Sequence, residues 1–69
     1  MLRKGQIVQI FQDPISEKIF EGEALLLVRY SPGIHGGPGI SLERWKVEFL
    51  DDRFITERTI NAEGKNKES

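Results

Sequence analysis

The sequence predicts a single all-β domain, a small barrel of about five short strands. Three segments alternate apolar and polar residues with the period of two that is typical of a β-strand. The clearest is 44–49, where Trp45, Val47 and Phe49 fall on one face and charged residues on the other. Turn-forming residues separate these segments, and no segment has the period of an amphipathic helix.

Length and composition limit the possible functions. A stretch of 69 residues holds one hydrophobic core. Ten basic residues against eleven acidic ones give a formal net charge of −1, which differs from a strongly basic nucleic-acid-binding domain but allows a local basic patch. The absence of cysteine excludes disulfides, cysteine zinc sites and a cysteine nucleophile.

No targeting or membrane segment is expected. The first residues are not followed by a long apolar run, and the longest such run, 24–28, is far shorter than a membrane span. We therefore expect a cytoplasmic protein without a membrane partner.

The first predicted strand covers residues 6–12. Val8 and Ile10 are expected to face the core because the opposite row carries Gln9. Asp13-Pro14 ends the strand, since proline fixes its own φ and disfavours helix in the residue before it. Residues 15–22 are then expected to form an ordered loop, with a short helical turn capped by Ser16 as the alternative.

The second predicted strand, 23–30, is apolar on both faces. Ala24, Leu26 and Val28 share one face, and Leu25 and Leu27 share the other. Burial on both sides within a bent strand explains this pattern, and so does a homodimer contact over the two leucines. We expect a monomer or a weak homodimer.

Residues 31–41 are rich in glycine and proline and are expected to form a flexible loop. Pro32-Gly33 suits a type II turn. The segment lacks the lysine and Ser/Thr of a phosphate-binding P-loop. His35 is the only histidine and the chain has no cysteine. No second imidazole or thiol is therefore available to form a metal site or an acid–base pair with it.

The third and fourth strands form a hairpin over 44–60, with Asp51-Asp52 at its tip. This turn sets Phe49 opposite Phe54, Val47 opposite Thr56 and Lys46 opposite Glu57, an aromatic pair inside and opposite charges outside. The domain is predicted to span 1–60. The polar residues 61–69 have no large apolar side chain to bury and are predicted to form a disordered tail. The predicted core consists of Val8, Ile10, Ala24, Leu26, Val28, Val47, Phe49 and Phe54.

In this order, Gly5-Gln6-Ile7-Val8, the segment 21–24 and the hairpin 45–58 resemble the Src-homology-3-like (SH3-like) barrels, a class that includes Tudor and KOW modules. More loosely, 45–49 with Asp51-Asp52 is similar to short uncharacterised proteins of prokaryotes and their phages. In signalling SH3 domains, a tryptophan at the position of Trp45 lines the groove for proline-rich ligands. The other aromatic motifs of that groove are absent, so the resemblance does not imply proline-rich peptide binding.

The sequence favours a non-catalytic binding module for a protein partner, without a cofactor. It contains no nucleophile–base pair, metal-ligand cluster or cofactor motif. Small barrels carry function on loops, so the predicted contact is the loop 31–41 with its flanking aromatics. Trp45 has a second interpretation as a structural cap of the barrel. The predicted binding residues are Tyr30, His35, Arg44, Trp45 and Arg58.

Two other functions stay open at this point. A nucleic-acid-binding barrel would use basic side chains to meet phosphates while Trp45 stacks on a base. A packing subunit would have no separate ligand. The basic residues of the nucleic-acid alternative are Arg29, Arg44, Lys46, Arg53 and Arg58.

Overall fold

The computed structural model describes residues 2–67, apart from the side chains of Pro32, Gly33 and His35. Its four strands form one antiparallel sheet in the order β1-β2-β3-β4, so each strand pairs with its neighbour in sequence. No helix occurs among these residues, and the all-β prediction is confirmed. The strands are β1 Ile7–Asp13, β2 Lys18–Gly37, β3 Ile40–Phe49 and β4 Ile55–Asn61.

The same residues include no helix long and apolar enough to cross a membrane.

Strand β2 is long because it serves two neighbours. Its first part pairs with β1 as far as Leu25, and the part from Ala24 onward pairs with β3. The expectation of a loop over 31–41 is wrong for most of that segment, which extends β2 and β3 into a hairpin. The turn lies at residues 38–39. Gly37 before the turn and Gly39 within it have positive φ values of 115° and 75°. Pairing with β3 overrides the flexible composition of the segment.

Register shifts in β2 change which side chains reach the core. One shift lies between Leu26 and Val28, where the extra residue Leu27 interrupts the alternation. Val28 therefore leaves the core face, and its side chain is 47% exposed. The prediction of Val28 as a core residue is wrong for this reason.

The β3–β4 hairpin has the predicted register. Val47 pairs with Thr56, Lys46 pairs with Glu57, and the Phe49 N–H donates to the Phe54 carbonyl at 2.8 Å. Phe54 itself precedes the first residue of β4 and is 59% exposed, so its prediction as a core residue is wrong. At the tip, the left-handed residue is Arg53 with φ of 61° rather than an aspartate. Asp52 instead accepts a hydrogen bond from the Phe54 N–H at 3.0 Å.

The core lies on one face of the sheet, called the inner face below. Five of the predicted core residues are fully buried there, and Phe49 is partly buried against them. Phe11 is also buried but is not part of the core cluster, and its ring meets Phe20 edge to face at 5.6 Å. The buried cluster consists of Leu2, Val8, Ile10, Ala24, Leu26, Trp45, Val47, Ile60 and Ala62.

Residues 61–67 make specific contacts, against the expectation that they have nothing to bury. Ala62 belongs to the core cluster, and the buried Asn61 accepts a hydrogen bond from the Ser41 N–H at 3.0 Å. The amide of Asn66 binds Gln9 twice: its oxygen accepts from the Gln9 N–H at 2.8 Å, and its nitrogen donates to the Gln9 carbonyl at 2.9 Å. A side chain thus satisfies the edge of β1, which limits pairing with foreign strands. Glu68 and Ser69 of the predicted tail lie outside the described residues.

Candidate functional site

The predicted binding residues divide between the two faces of the sheet. Trp45 pairs with Arg58 across β3 and β4, whereas Arg44 pairs with Thr59 in the next row, which points to the opposite side. Tyr30 lies on the side of Arg44. His35 pairs with Ser41 in the β2–β3 ladder, and its side chain is not described.

Trp45 occupies the core. Its side chain is 2% exposed, and its indole Nε1 donates to Glu43 Oε1 at 2.9 Å. The Arg29 guanidinium lies 5.2 Å from the centroid of the indole ring. An indole enclosed in this way contributes packing rather than a surface on which a base or peptide could stack.

Glu43 is the buried polar residue that organises this part of the inner face. It is 4% exposed, and besides the indole hydrogen bond it forms an ion pair with Arg29 at 3.4 Å. Arg29 also donates to the Leu2 carbonyl at 2.7 Å, which attaches the N-terminal segment to the sheet. The only sequence signal for this cluster is the i, i+2 spacing of Glu43 and Trp45, which places both on one face of β3.

Arg58 lies at the other end of the inner face. It forms an ion pair with Glu21, and its guanidinium is 6.0 Å from the centroid of the Phe49 ring. Its Nη2 is 3.5 Å from the Phe11 carbonyl, so one side chain connects β4 to both β1 and β2. These contacts give Arg58 a role in holding the strands together.

Tyr30 and Arg44 meet on the opposite face. Tyr30 is 49% exposed and lines a shallow depression of about 440 Å³ together with Arg44 and residues of β4. Arg44 is fixed by two contacts on β4, an ion pair with Glu57 at 3.4 Å and a hydrogen bond to the Thr59 hydroxyl at 2.9 Å. We call this region the outer surface, defined by Val28, Tyr30, Arg44, Lys46, Ile55 and Glu57.

Apolar side chains continue the outer surface in both directions. Ile55 and Val28 are about half exposed, and Ile34 is more exposed still, near the tip of the β2–β3 hairpin. A second depression of about 440 Å³ lies next to Arg44 and includes Ile34 and Leu42. Arg44 borders both depressions, so it is the central polar residue of this face.

Among the side chains that the structure describes, which do not include that of His35, no group of three or more is placed to hold a metal ion. Comparisons of the chain with protein-family models, with curated proteins and with solved structures find no match. The side chains of the outer surface are therefore the basis for a functional proposal.

Proposed function

We propose that this chain is a non-catalytic protein-binding module that contacts its partner through the outer surface. The observation that carries the proposal is a half-exposed tyrosine beside an arginine on a paired sheet, next to an open depression. Tyrosine and arginine are enriched among the residues that dominate binding energies at protein interfaces. The depression offers space for a partner's side chain between Tyr30 and Ile55.

The outer surface combines an arginine that is already ordered with exposed apolar side chains. Arg44 is already held by Glu57 and Thr59, so less rotamer freedom is lost when a partner orders it. The exposed apolar residues on either side of Tyr30 supply area that a partner can remove from water. The predicted contact loop 31–41 takes part as a hairpin that presents Ile34 beside this surface.

The charges favour a protein partner over nucleic acid. Four of the five cations in the nucleic-acid alternative are paired with glutamates: Arg29 with Glu43, Arg44 with Glu57, Arg53 with Glu48 and Arg58 with Glu21. They also lie on different faces of the sheet, so they form no continuous track for a phosphate backbone. The remaining cation, Lys46, stands next to Glu57.

We also propose the SH3-like class for the fold. Support comes from the sequential antiparallel order and from a β2 strand that pairs with two neighbours at its two ends. Closure of the barrel between β1 and β4 is part of this proposal. Nuclear Overhauser contacts between the backbones of β1 and β4 are its test, and their absence would contradict closure.

Site-specific cross-linking tests the binding proposal. A photo-reactive phenylalanine analogue replaces Tyr30 in one variant and the exposed Gln12 of β1 in a matched control, and both are irradiated in lysate of the native host. We expect one defined protein adduct at position 30 that is absent at position 12 and lost when Arg44→Glu is added. Adducts of equal yield at both positions would show that the outer surface is not the contact.

A salt titration separates the two classes of partner. We expect no salt-sensitive changes in the amide NMR chemical shifts when single-stranded or duplex DNA or RNA is added, because the arginines are already paired with glutamates. Strong nucleic-acid shifts along Arg44, Arg53 and Arg58 that vanish as ionic strength rises would reverse the proposal.

Self-association stays a prediction, and the structure sharpens its test. Leu25 lies between Ile7 and Glu48 in one row of the sheet, whereas Leu27 is the extra residue of the register shift; both are partly exposed. We expect weak association in sedimentation velocity that Leu27→Glu abolishes. A dimer that persists in this variant would place the contact elsewhere.

A further inference from the structure

A depression of about 290 Å³ lies beside the β3–β4 turn and shares no residue with the outer surface. Two phenylalanines line it: Phe49 is partly buried against the core, and Phe54 is 59% exposed. The other lining residues are charged, and they are Glu21, Asp51, Asp52 and Arg58. The depression thus combines aromatic area with carboxylates, the two kinds of group that attract an organic cation.

Arg58 shows that this depression already holds one guanidinium group. The guanidinium carbon lies 6.0 Å from the centroid of the Phe49 ring, and the side chain forms an ion pair with Glu21. A ring and a carboxylate therefore stabilise the same cation, the ring through its quadrupole and the carboxylate through its charge. Phe54 and the two aspartates offer a second set of the same groups.

This second set lacks a cation of its own among the described residues. Asp52 accepts a hydrogen bond from the Phe54 N–H at 3.0 Å, which fixes the turn but leaves the negative charge without a cationic partner. Arg53, the nearest cation in the chain, pairs with Glu48 at 3.2 Å rather than with Asp51 or Asp52. In the same part of the chain, no arginine or lysine lies over the Phe54 ring. The ring and the two carboxylates are therefore open to a cation from another molecule.

We propose that this depression binds an arginine side chain of a partner peptide. The guanidinium group stacks on Phe54, and Asp51 and Asp52 accept hydrogen bonds from its N–H groups. Arginine is preferred over lysine because its planar, weakly hydrated head stacks on rings and donates forked hydrogen bonds to carboxylates. The volume is close to the lower limit of ligand pockets, roughly 300 Å³, so the depression holds one side chain rather than a larger ligand.

A metal ion fits this depression less well than an arginine. The described side chains include no group of three acidic or histidine ligands, and a metal ion would leave the ring of Phe54 in water. The guanidinium group uses the ring and the carboxylates together.

NMR titration of the full chain tests the proposal with a blocked synthetic peptide that carries one arginine between glycine and serine residues. We expect chemical-shift changes at the amides of residues 49–54 and in the ring signals of Phe54. The matched peptide carries citrulline, which keeps the shape of arginine but has no charge, and is expected to bind about tenfold more weakly. A lysine peptide is expected to bind with intermediate affinity.

Variants of the protein without the acidic charges provide the second arm. Asp51→Asn/Asp52→Asn removes both charges but keeps an oxygen that accepts the turn hydrogen bond, and it is expected to lower affinity about tenfold. The control Glu23→Gln/Glu63→Gln changes the net charge equally outside the depression and is expected to bind normally. Tyr30→Ala is also expected to bind normally, so failure of this proposal is distinguishable from failure of the outer surface.

A third variant tests the contribution of the aromatic ring. Phe54→Leu keeps an apolar side chain but removes the ring, and it is expected to weaken binding of the arginine peptide about threefold. Unchanged affinity in this variant would contradict the proposal.

Three other results would overturn the proposal. One is equal binding of the citrulline peptide, and another is equal loss of affinity in the two double variants. The third is the same set of amide shifts with calcium chloride alone at equal concentration, which would show an acidic turn without selectivity for arginine. Circular dichroism of each variant confirms that it is folded before the comparison.

Discussion

Arg44 and Trp45 are neighbours in the chain but serve the two faces of the sheet in different ways. Trp45 is enclosed in the core with Glu43 as its hydrogen-bond partner, whereas Arg44 is exposed beside Tyr30. Both faces carry an arginine–glutamate pair next to an aromatic residue. On the inner face the pair stabilises the aromatic ring, and on the outer face it fixes an arginine that we propose as a contact for a partner.

The difference shows that similar residue types take their role from the face on which the strand places them. Arg29–Glu43 and Arg44–Glu57 have the same separation of 3.4 Å. Glu43 is buried, so its charge is desolvated and its loss leaves partners unsatisfied. Glu57 is exposed, so water screens its ion pair with Arg44 and lowers the contribution of that pair to stability.

The largest expected effect separates the two aromatic residues. Trp45→Ala should lower the free energy of unfolding by about 3 to 5 kcal/mol, because it leaves a cavity in the core. Tyr30→Ala should cost at most about 1 kcal/mol, since its ring is half exposed. Urea unfolding followed by circular dichroism measures both. If Trp45→Ala does not fold, Trp45→Phe provides a milder variant that should still cost more than Tyr30→Phe.

A second pair of variants tests the register shift at Leu27. Leu26→Ala should cost about 2 to 5 kcal/mol because Leu26 is fully buried. Val28→Ala should cost less than about 1 kcal/mol because the shift turns Val28 toward solvent. Comparable losses in urea unfolding would mean that both side chains point into the core and that β2 is continuous there.

The two ion pairs give a third, smaller contrast. Glu43→Ala should cost about 1 to 3 kcal/mol, since the indole N–H loses its acceptor and Arg29 loses its ion-pair partner. Glu57→Ala should cost at most about 1 kcal/mol, as for an exposed pair. Thermal unfolding at low and high salt checks this, and equal losses for the two variants would contradict the difference between the faces.

The smallest expected effect concerns the order of the loop 14–17 at acidic pH. A hydrogen bond from the Ser16 side chain, with those from the Ile15 and Ser16 amides, holds the pKa of Asp13 below its usual value. A carboxyl with a lowered pKa stabilises the fold above its unfolded pKa, and this stabilisation is lost as pH falls through the folded value. We expect the loop 14–17 to loosen only in that acidic window. The NMR chemical shifts of the Ile15 and Ser16 amides, followed against pH, measure this loosening. Asp13→Asn should remove the pH dependence of these shifts.

Sequence periodicity predicted the β3–β4 hairpin well. The pairs Val47–Thr56 and Lys46–Glu57 follow from alternation and a short turn, both of which are local properties. Val8 and Ile10 were also predicted correctly, because Gln9 marks the opposite row as polar. Ala24 and Leu26 were predicted correctly as well, although both faces of their strand are apolar. Local patterns were sufficient wherever the strand stays regular.

The register shifts in β2 were not predictable, because any residue type can serve as the extra residue of a bulge. One undetected residue at Leu27 moved Val28 out of the core, and Arg29 came to oppose Trp45. The predicted site of Tyr30 with Trp45 was based on their positions on either side of the loop 31–41, whereas the structure places the two residues on opposite faces of the sheet. Residues 61–67 were missed for a different reason: Asn61 and Asn66 act through hydrogen bonds, which hydrophobic patterns do not report.

The central claim is that the tryptophan belongs to the fold and that the outer surface is free for a partner. Trp45 is the only tryptophan in the chain, so its fluorescence reports on one side chain. Acrylamide quenching of the folded protein is the most direct measurement. We expect weak quenching and a blue-shifted emission that both approach the values of free tryptophan only when urea unfolds the chain. Quenching as strong in the folded protein as in the unfolded one would contradict the account.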